Sequence, residues 1–275
     1  MRSLRTKLLM VAVLMVGGNM AITSCASVVV DPPEDRDTIP NISVDVYYES
    51  QLADMVESGE IPQDIATLKI FSDIPVDLSP ISGLSNLKYL HLGISQCSDL
   101  SPLSTLTNLK ELGLPSSGFS DLSPLSGLTS LKKLTLKAHQ LDSPFPIILD
   151  LTPLSGLINL EYLDLNQSPI SSIAPLSGLI NLKELYLFGR THSIDTRISD
   201  ITPLSDLAKL EKLNLGNNKI SDLTPLNGLK NLRYLDLTLN PLSKKQADTL
   251  QKTLRKCEIL SDFSYSEQKG FGCSG

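Results

Sequence analysis

A unit of the form D-[LI]-[ST]-P-L-S-G-L-x-N-L-x-x-L-x-L returns seven times, starting at Asp77, Asp99, Asp121, Asp150, Ser172, Asp200 and Asp222. Five copies are 22 residues long, and the copies that start at Asp121 and Ser172 run to 29 and 28. No other feature constrains the fold as strongly. In "LEYLDL" (160–165) the last leucines alternate with polar residues, the period of a strand with one buried face. "DLTPLSGL" sets Pro behind a capping-type Thr, as at the first turn of a short helix, and Gly83, Gly127, Gly156, Gly178 and Gly228 stand in the turn that follows. One copy carries a leucine stripe and has nothing to bury it against. Stacked copies share one aliphatic core, which suits a chain with no Trp and 5% aromatic residues.

These units resemble leucine-rich repeats, and "ISDLTPLNGLKNLRYLDLTLN" (220–240) resembles the 22-residue repeats of the internalin family. The likeness spans about residues 68–243. It implies an α/β solenoid in which a parallel sheet lines a concave face and short 3-10 turns cover the convex side. It also implies protein binding without catalysis. One departure bears on local geometry. The family's Asn after the strand, whose side chain bonds backbone groups in a ladder, is present only at Asn218 and Asn240. Ser95, Ser117, His139, Ser168 and Arg190 hold the equivalent places. A hydroxyl does part of that work, and an Arg does not.

Small caps are expected at both ends. Leu52, Met55 and Val56 recur at helical spacing before Gly59 and a strand-like "TLKI", giving an N-terminal cap and partial repeat over 42–76. The seven repeats occupy 77–243. A C-terminal helical cap over 244–260 opens with a Ser243/Gln246 capping box and sets Ala247, Leu250 and Leu254 on one face. A flexible tail, 261–275, follows.

The first residues belong to another kind of sequence. Arg2, Arg5 and Lys7 precede an apolar run, Leu8 to Val16, and then small and polar residues, the order of an export signal over 1–24. The run is too short to span a bilayer. "ITSC" (22–25) resembles the lipobox of bacterial lipoproteins, which implies cleavage before Cys25 and lipid on that residue; ordinary cleavage nearby is the alternative. Ala26, where retained lipoproteins carry Asp, points to the outer membrane of a cell that has one. Residues 25–41 then form the lipidated Cys and a tether rich in Pro and charge, with an edge strand at "SVVV" as the other reading. Without 1–24 the chain has 21 Lys and Arg against 30 Asp and Glu, a net charge of −9. That balance disfavours nucleic acid and leaves membrane attachment to the lipid.

Chemistry is sparse. The three His are scattered without metal-ligand spacing, and no nucleophile motif or phosphate loop is present, so we expect no metal, no cofactor and no enzyme. Cys97 stands at an inward repeat position and reads as core. Cys257 and Cys273, near the C-terminus, are candidates for a disulfide that an exported protein permits.

What remains is a surface. Side chains flanking the strand leucines point to the concave face. There Tyr162, Tyr186 and Phe188 should form one aromatic patch, with Asp164, Asn214, Tyr234 and Asp236 in the same columns. Such a patch is either an interface hot spot or the ordinary preference of Tyr for strand surfaces. The extra residues of the fifth repeat fall between Phe188 and Ile198, adding Arg190, His192 and Arg197 to a rim. They either shape a binding edge or reflect drift in a tolerant loop. The expected protein is a monomeric, lipid-anchored envelope protein that binds a protein ligand, an adhesin if the internalin likeness extends that far. Envelope housekeeping, with another envelope protein or a glycan as partner, is the alternative.

Overall fold

The computed structural model describes residues 28–31, 41–45, 47, 50–94, 99–114, 119–136, 150–190 and 197–263. They fall into two compact units, divided between Phe119 and Ser120. Cys25, Cys97, His192, Cys273, the signal segment and the third-repeat insertion lie outside the described residues.

In the first unit β1 (Val28–Asp31) runs antiparallel to β2 (Asn41–Asp45). From β2 onward the strands are parallel and in chain order: β3 (Thr67–Ser72), β4 (Tyr89–Ile94) and β5 (Glu111–Gly113). Helix α1 (Gln51–Glu57) buries Leu52 and Met55 at the spacing the sequence indicates, while Val56 stays half-exposed. Its Gln51 is also buried, and the Gln51 side-chain carbonyl accepts the Tyr47 N–H at 2.7 Å. Strand β1 lies inside the stretch read as a tether. Its run of three β-branched valines finds a partner in β2, and that long-range pairing outweighs the Pro and charge that follow.

The second unit repeats one rung. Strands β6 (Lys133–Thr135), β7 (Tyr162–Asp164), β8 (Glu184–Tyr186), β9 (Lys212–Asn214) and β10 (Tyr234–Asp236) pair in parallel, each with the next. Every rung turns through a short 3-10 segment, such as Thr152–Leu154 or Ala174–Leu176, with Pro in its first turn. The leucines of strand and turn meet in one core: Leu154, Leu157, Leu160 and Leu163 are all fully buried. These are the leaning, shared rungs that the repeat length requires.

Two polar devices fix the turns. The first is the Asp that opens each repeat, not the Thr. Asp150 Oδ1 accepts the Thr152 N–H at 2.9 Å and its hydroxyl at 2.7 Å, and Asp99, Asp121, Asp200 and Asp222 bond their turns in the same way. Hydroxyl and N–H of the following Ser or Thr hold these carboxyls below the usual Asp range, the hydroxyl first except at Asp222, where the N–H leads. Ser172 does the same work at 3.4 Å. The second device is the Asn of "LxNL". Asn159, Asn181 and Asn231 donate their side-chain amides to Thr129, Ile158 and Ala208 carbonyls of the preceding rung at 2.7–2.9 Å.

Charge alternates along the leading edge of these strands. Lys132, Glu161, Lys183, Glu211 and Arg233 follow one another down successive rungs. Glu161 bridges Lys132 and Lys183 at 3.2 and 2.6 Å, and the two lysines, Lys183 foremost, lower its carboxyl.

At the C-terminus the capping box forms, with Ser243 and Gln246 bonded both ways, and helix α2 (Lys244–Thr253) buries Ala247 and Leu250. Leu254, also buried, closes the helix. The chain then leaves the helix, and β11 (Glu258–Leu260) extends the sheet beside β10, where a helix was expected to continue. Cys257 supplies the missing leucine. It is buried, and its N–H bonds the Leu254 carbonyl as that of Leu232 bonds Leu229. Burial, then Glu258, pushes its thiol up to about 11. Cys257 is a free thiol in the described residues, and its suggested partner Cys273 lies beyond them.

Candidate functional site

The open face of the second unit brings the two tyrosines together. Tyr162 pairs with Glu184 in register and Asp164 with Tyr186, so the rings of Tyr162 and Tyr186 stand on adjacent strands. Their centroids are 5.5 Å apart and the planes are tilted by 45°, within the preferred range for aromatic pairs. The Lys133 ammonium lies 4.9 Å from the Tyr162 ring centroid, a cation–π contact. Both rings are half-buried. The larger part of each is therefore held by the protein, and a smaller part is exposed.

A polar clamp fixes the second ring. Tyr186 donates its hydroxyl to Glu184 Oε2 at 2.7 Å, and Lys212 Nζ donates to Glu184 Oε1 at 3.0 Å. Burial alone would raise the Glu184 carboxyl, but the Tyr186 hydroxyl and the Lys212 ammonium outweigh it and hold the group below its usual range. Burial first, and then the Glu184 carboxylate, pushes the Tyr186 phenol far up. Burial, Asp164 and Glu184 raise Tyr162 in the same way.

Phe188 does not join the tyrosine pair. Its ring lies across Gly216 of the next rung, so close that a methyl group on Gly216 would stand 2.8 Å from a ring carbon. Its N–H donates to Asn166 Oδ1 at 2.9 Å. Asp164 and Asp236 also differ from expectation. At 5% and 8% exposure they turn to their own backbones: Asp164 accepts the Asn166 N–H at 3.0 Å, and Asp236 the Thr238 N–H at 2.9 Å and hydroxyl at 2.7 Å. Asn214 caps Gly216 likewise at 2.9 Å. A carboxylate or amide two residues from a free N–H satisfies it locally, so these three shape the strand ends and offer a ligand little. Tyr234 keeps a half-exposed place in the next rung.

The ladder departures resolve in physical terms. Asn218 donates to the Leu187, Leu215 and Gly216 carbonyls and accepts the Ile198 N–H, and Asn240 repeats this set one rung on. Ser168 keeps one bond of it, donating to the Leu136 carbonyl at 2.8 Å. At the Arg190 rung the next repeat supplies the polar groups. Asn217 donates to the Gly189 and Arg190 carbonyls at 2.9 Å, while Asn218 takes the Ile198 N–H at 3.0 Å. Both feet of the fifth-repeat insertion are thus held by the dipeptide Asn217–Asn218. Arg190 is half-buried at one foot, and Arg197 is exposed at the other.

The first unit has an aromatic face that the sequence reading did not single out as a site. Phe71 and His91 lie 5.9 Å apart on β3 and β4. Phe71 rests on Gly93, and His91 rests on Gly113, its register partner. The signal was an aromatic or imidazole ring followed 22 residues later by Gly, and it is visible only once the repeat is aligned. Among the described residues no three His, Cys, Asp or Glu side chains could hold a metal together, and no helix is long and apolar enough to cross a membrane.

This rung architecture defines a leucine-rich repeat protein. The family described as leucine rich repeats (2 copies) matches residues 158–206, 180–228 and 208–252. Internalin C2 of Listeria monocytogenes is 32% identical, with a TM-score of 0.61, over 76% of this chain and 92% of its own. The internalin inlF of the same species is 28% identical over 72% of each chain, with a TM-score of 0.40. No curated protein matches the sequence significantly. The chain belongs to the internalin family of leucine-rich repeat proteins.

Proposed function

We propose that this protein is a non-catalytic, exported bacterial envelope protein, anchored by lipid at Cys25, that holds a protein ligand on the open sheet face of its second unit. The observation that carries the reading is the Tyr162–Tyr186 pair, half-exposed and fixed by Glu184, Lys133 and Lys212. Rigid, half-desolvated aromatics lose little freedom on binding and dominate interface energy. A leucine-rich repeat solenoid typically serves protein interaction, and the likeness to internalin C2 supports the same class here. Adhesion to a host cell or matrix is the finer reading. The lipid anchor rests on "ITSC" at the end of an apolar run.

The test compares wild type with Tyr162→Ala/Tyr186→Ala, both as full chain, in capture of partner proteins followed by a binding titration. Loss of a specific partner by at least tenfold, with an unchanged circular dichroism spectrum, supports the site; equal binding removes it. Labelling cells with a palmitate analogue tests the anchor, because Cys25→Ser should abolish incorporation. Protease treatment of intact cells separates adhesion from a role inside the envelope, since an adhesin must be cleaved.

A further inference from the structure

The sequence reads residues 25–41 as a tether, which would reach about 55 Å from Cys25 when fully extended. Strand β1 takes residues 28–31 out of it. Only Ala26 and Ser27 separate Cys25 from Val28, and that link spans at most about 11 Å. The headgroup layer of one leaflet is itself about 5–8 Å deep. With lipid on Cys25, only a few ångströms are left between the headgroups and the start of β1.

The register fixes which part of the first unit this brings down. Strand β1 is antiparallel to β2, with Val28 opposite Val44 and Asp31 opposite Asn41. The chain from Cys25 thus reaches the sheet beside the end of β2 and not beside its start. Tyr47 stands three residues beyond Val44. At 51% it is the most exposed aromatic side chain among the described residues. Its backbone is fixed by the buried Gln51, whose side-chain carbonyl takes the Tyr47 N–H at 2.7 Å. An amphipathic ring on a fixed base, half uncovered by protein, suits a bilayer interface, where Tyr is enriched. Charge adds nothing here. Asp45 closes β2 and Asp73 follows β3 at the same end, so anionic headgroups are not attracted.

We infer that the end of β2 in the first unit, with Tyr47, is a membrane-contact surface that rests on a zwitterionic headgroup layer. The inference depends on the lipid at Cys25 proposed above. The acyl chains supply the affinity, and the short link and Tyr47 orient the unit. A protein partner fits this end less well, because the link leaves it too little room beneath the strand.

The chain has no Trp, so Tyr47→Trp places a single reporter at this surface. The lipidated full chain, purified from cells, is reconstituted into phosphatidylcholine vesicles that contain phosphatidylcholine with brominated acyl chains. Emission from Tyr47→Trp should move to shorter wavelength and fall by about half or more. Tyr89→Trp is the control in the same unit, since its register runs through Thr67 to Asn41 at the far end of β2. It should lose less than about a tenth of its emission. Inserting about ten Gly and Ser residues between Ser27 and Val28 should leave the protein on the vesicles and abolish most of the quenching. Adding phosphatidylglycerol should not strengthen it.

A wild-type chain that fails to float with the vesicles, as Cys25→Ser should, would remove the anchor and this surface with it. Flotation with Tyr47→Trp unquenched would remove the surface alone and leave the anchor standing. Equal quenching at both positions, or quenching that survives the insertion, would also overturn the inference.

Discussion

Tyr186 donates its phenolic hydroxyl to Glu184, two residues earlier on the same strand, and so ties a half-buried ring to a carboxylate that Lys212 also holds. Both groups are half-buried, so the bond counts for more than an exposed contact of the same length.

The alkaline limb of stability should report this bond. The folded-state pKa of Tyr186 is raised, so its contribution is complete below the unfolded value of about 10 and is lost as pH climbs toward the folded one. Tyr162 acts in the same sense. Tyr186→Phe should be less stable at pH 7 by about 0.5–1.5 kcal/mol and should lose stability less steeply above pH 10. Thermal melts between pH 8 and 12 measure both.

The Asp caps make the opposite prediction. Their carboxyls are lowered in the folded protein, so their contribution is present above the unfolded value, near 4, and disappears as pH falls through the lowered one. Asp150→Asn keeps an acceptor for the Thr152 N–H but no longer titrates. Melts between pH 2.5 and 5 should show a shallower acid limb in that variant.

Ser172 is the weak member of the series, at 3.4 Å from the Ala174 N–H where the Asp caps lie at 2.8–2.9 Å. Ser172→Asp should stabilise the protein by roughly 0.5–1 kcal/mol in urea unfolding. No gain would mean that the rung backbone holds the turn unaided.

Gly189 faces the Asn217 carbonyl so closely that an added methyl group collides with it, and the same methyl would lie 3.1 Å from Asn218 Oδ1. Gly189→Ala should cost about 2–3 kcal/mol, because backbone and not a flexible side chain must give way. Gly127→Ala, with nothing within 4 Å of the new methyl, is the control expected to be near neutral.

The buried pattern was legible wherever it was local. Leu160, Leu163 and Leu165 are buried as the alternation requires, and the Ser243/Gln246 box forms. What escaped the reading depends on contacts one repeat away. Asn181 is unremarkable until Ile158 of the previous rung stands beneath it, and Gly216 gains meaning only with Phe188 across it, 28 residues earlier. Strand β11 was missed because Cys257 replaces the leucine that marks a rung. In the candidate site the tyrosine pair was anticipated, and the inward turn of Asp164 and Asp236 was not. Column position gives a side chain's face, but the free N–H two residues on decides where a short carboxylate points.

Asn217 and Asn218 grip the chain on either side of residues 191–196 and themselves belong to the following repeat. The positions of Arg190 and Ile198 are therefore set from the following repeat. A protein engineer who grafts a foreign segment between Arg190 and Ile198 would meet a frame whose two anchor points are already fixed.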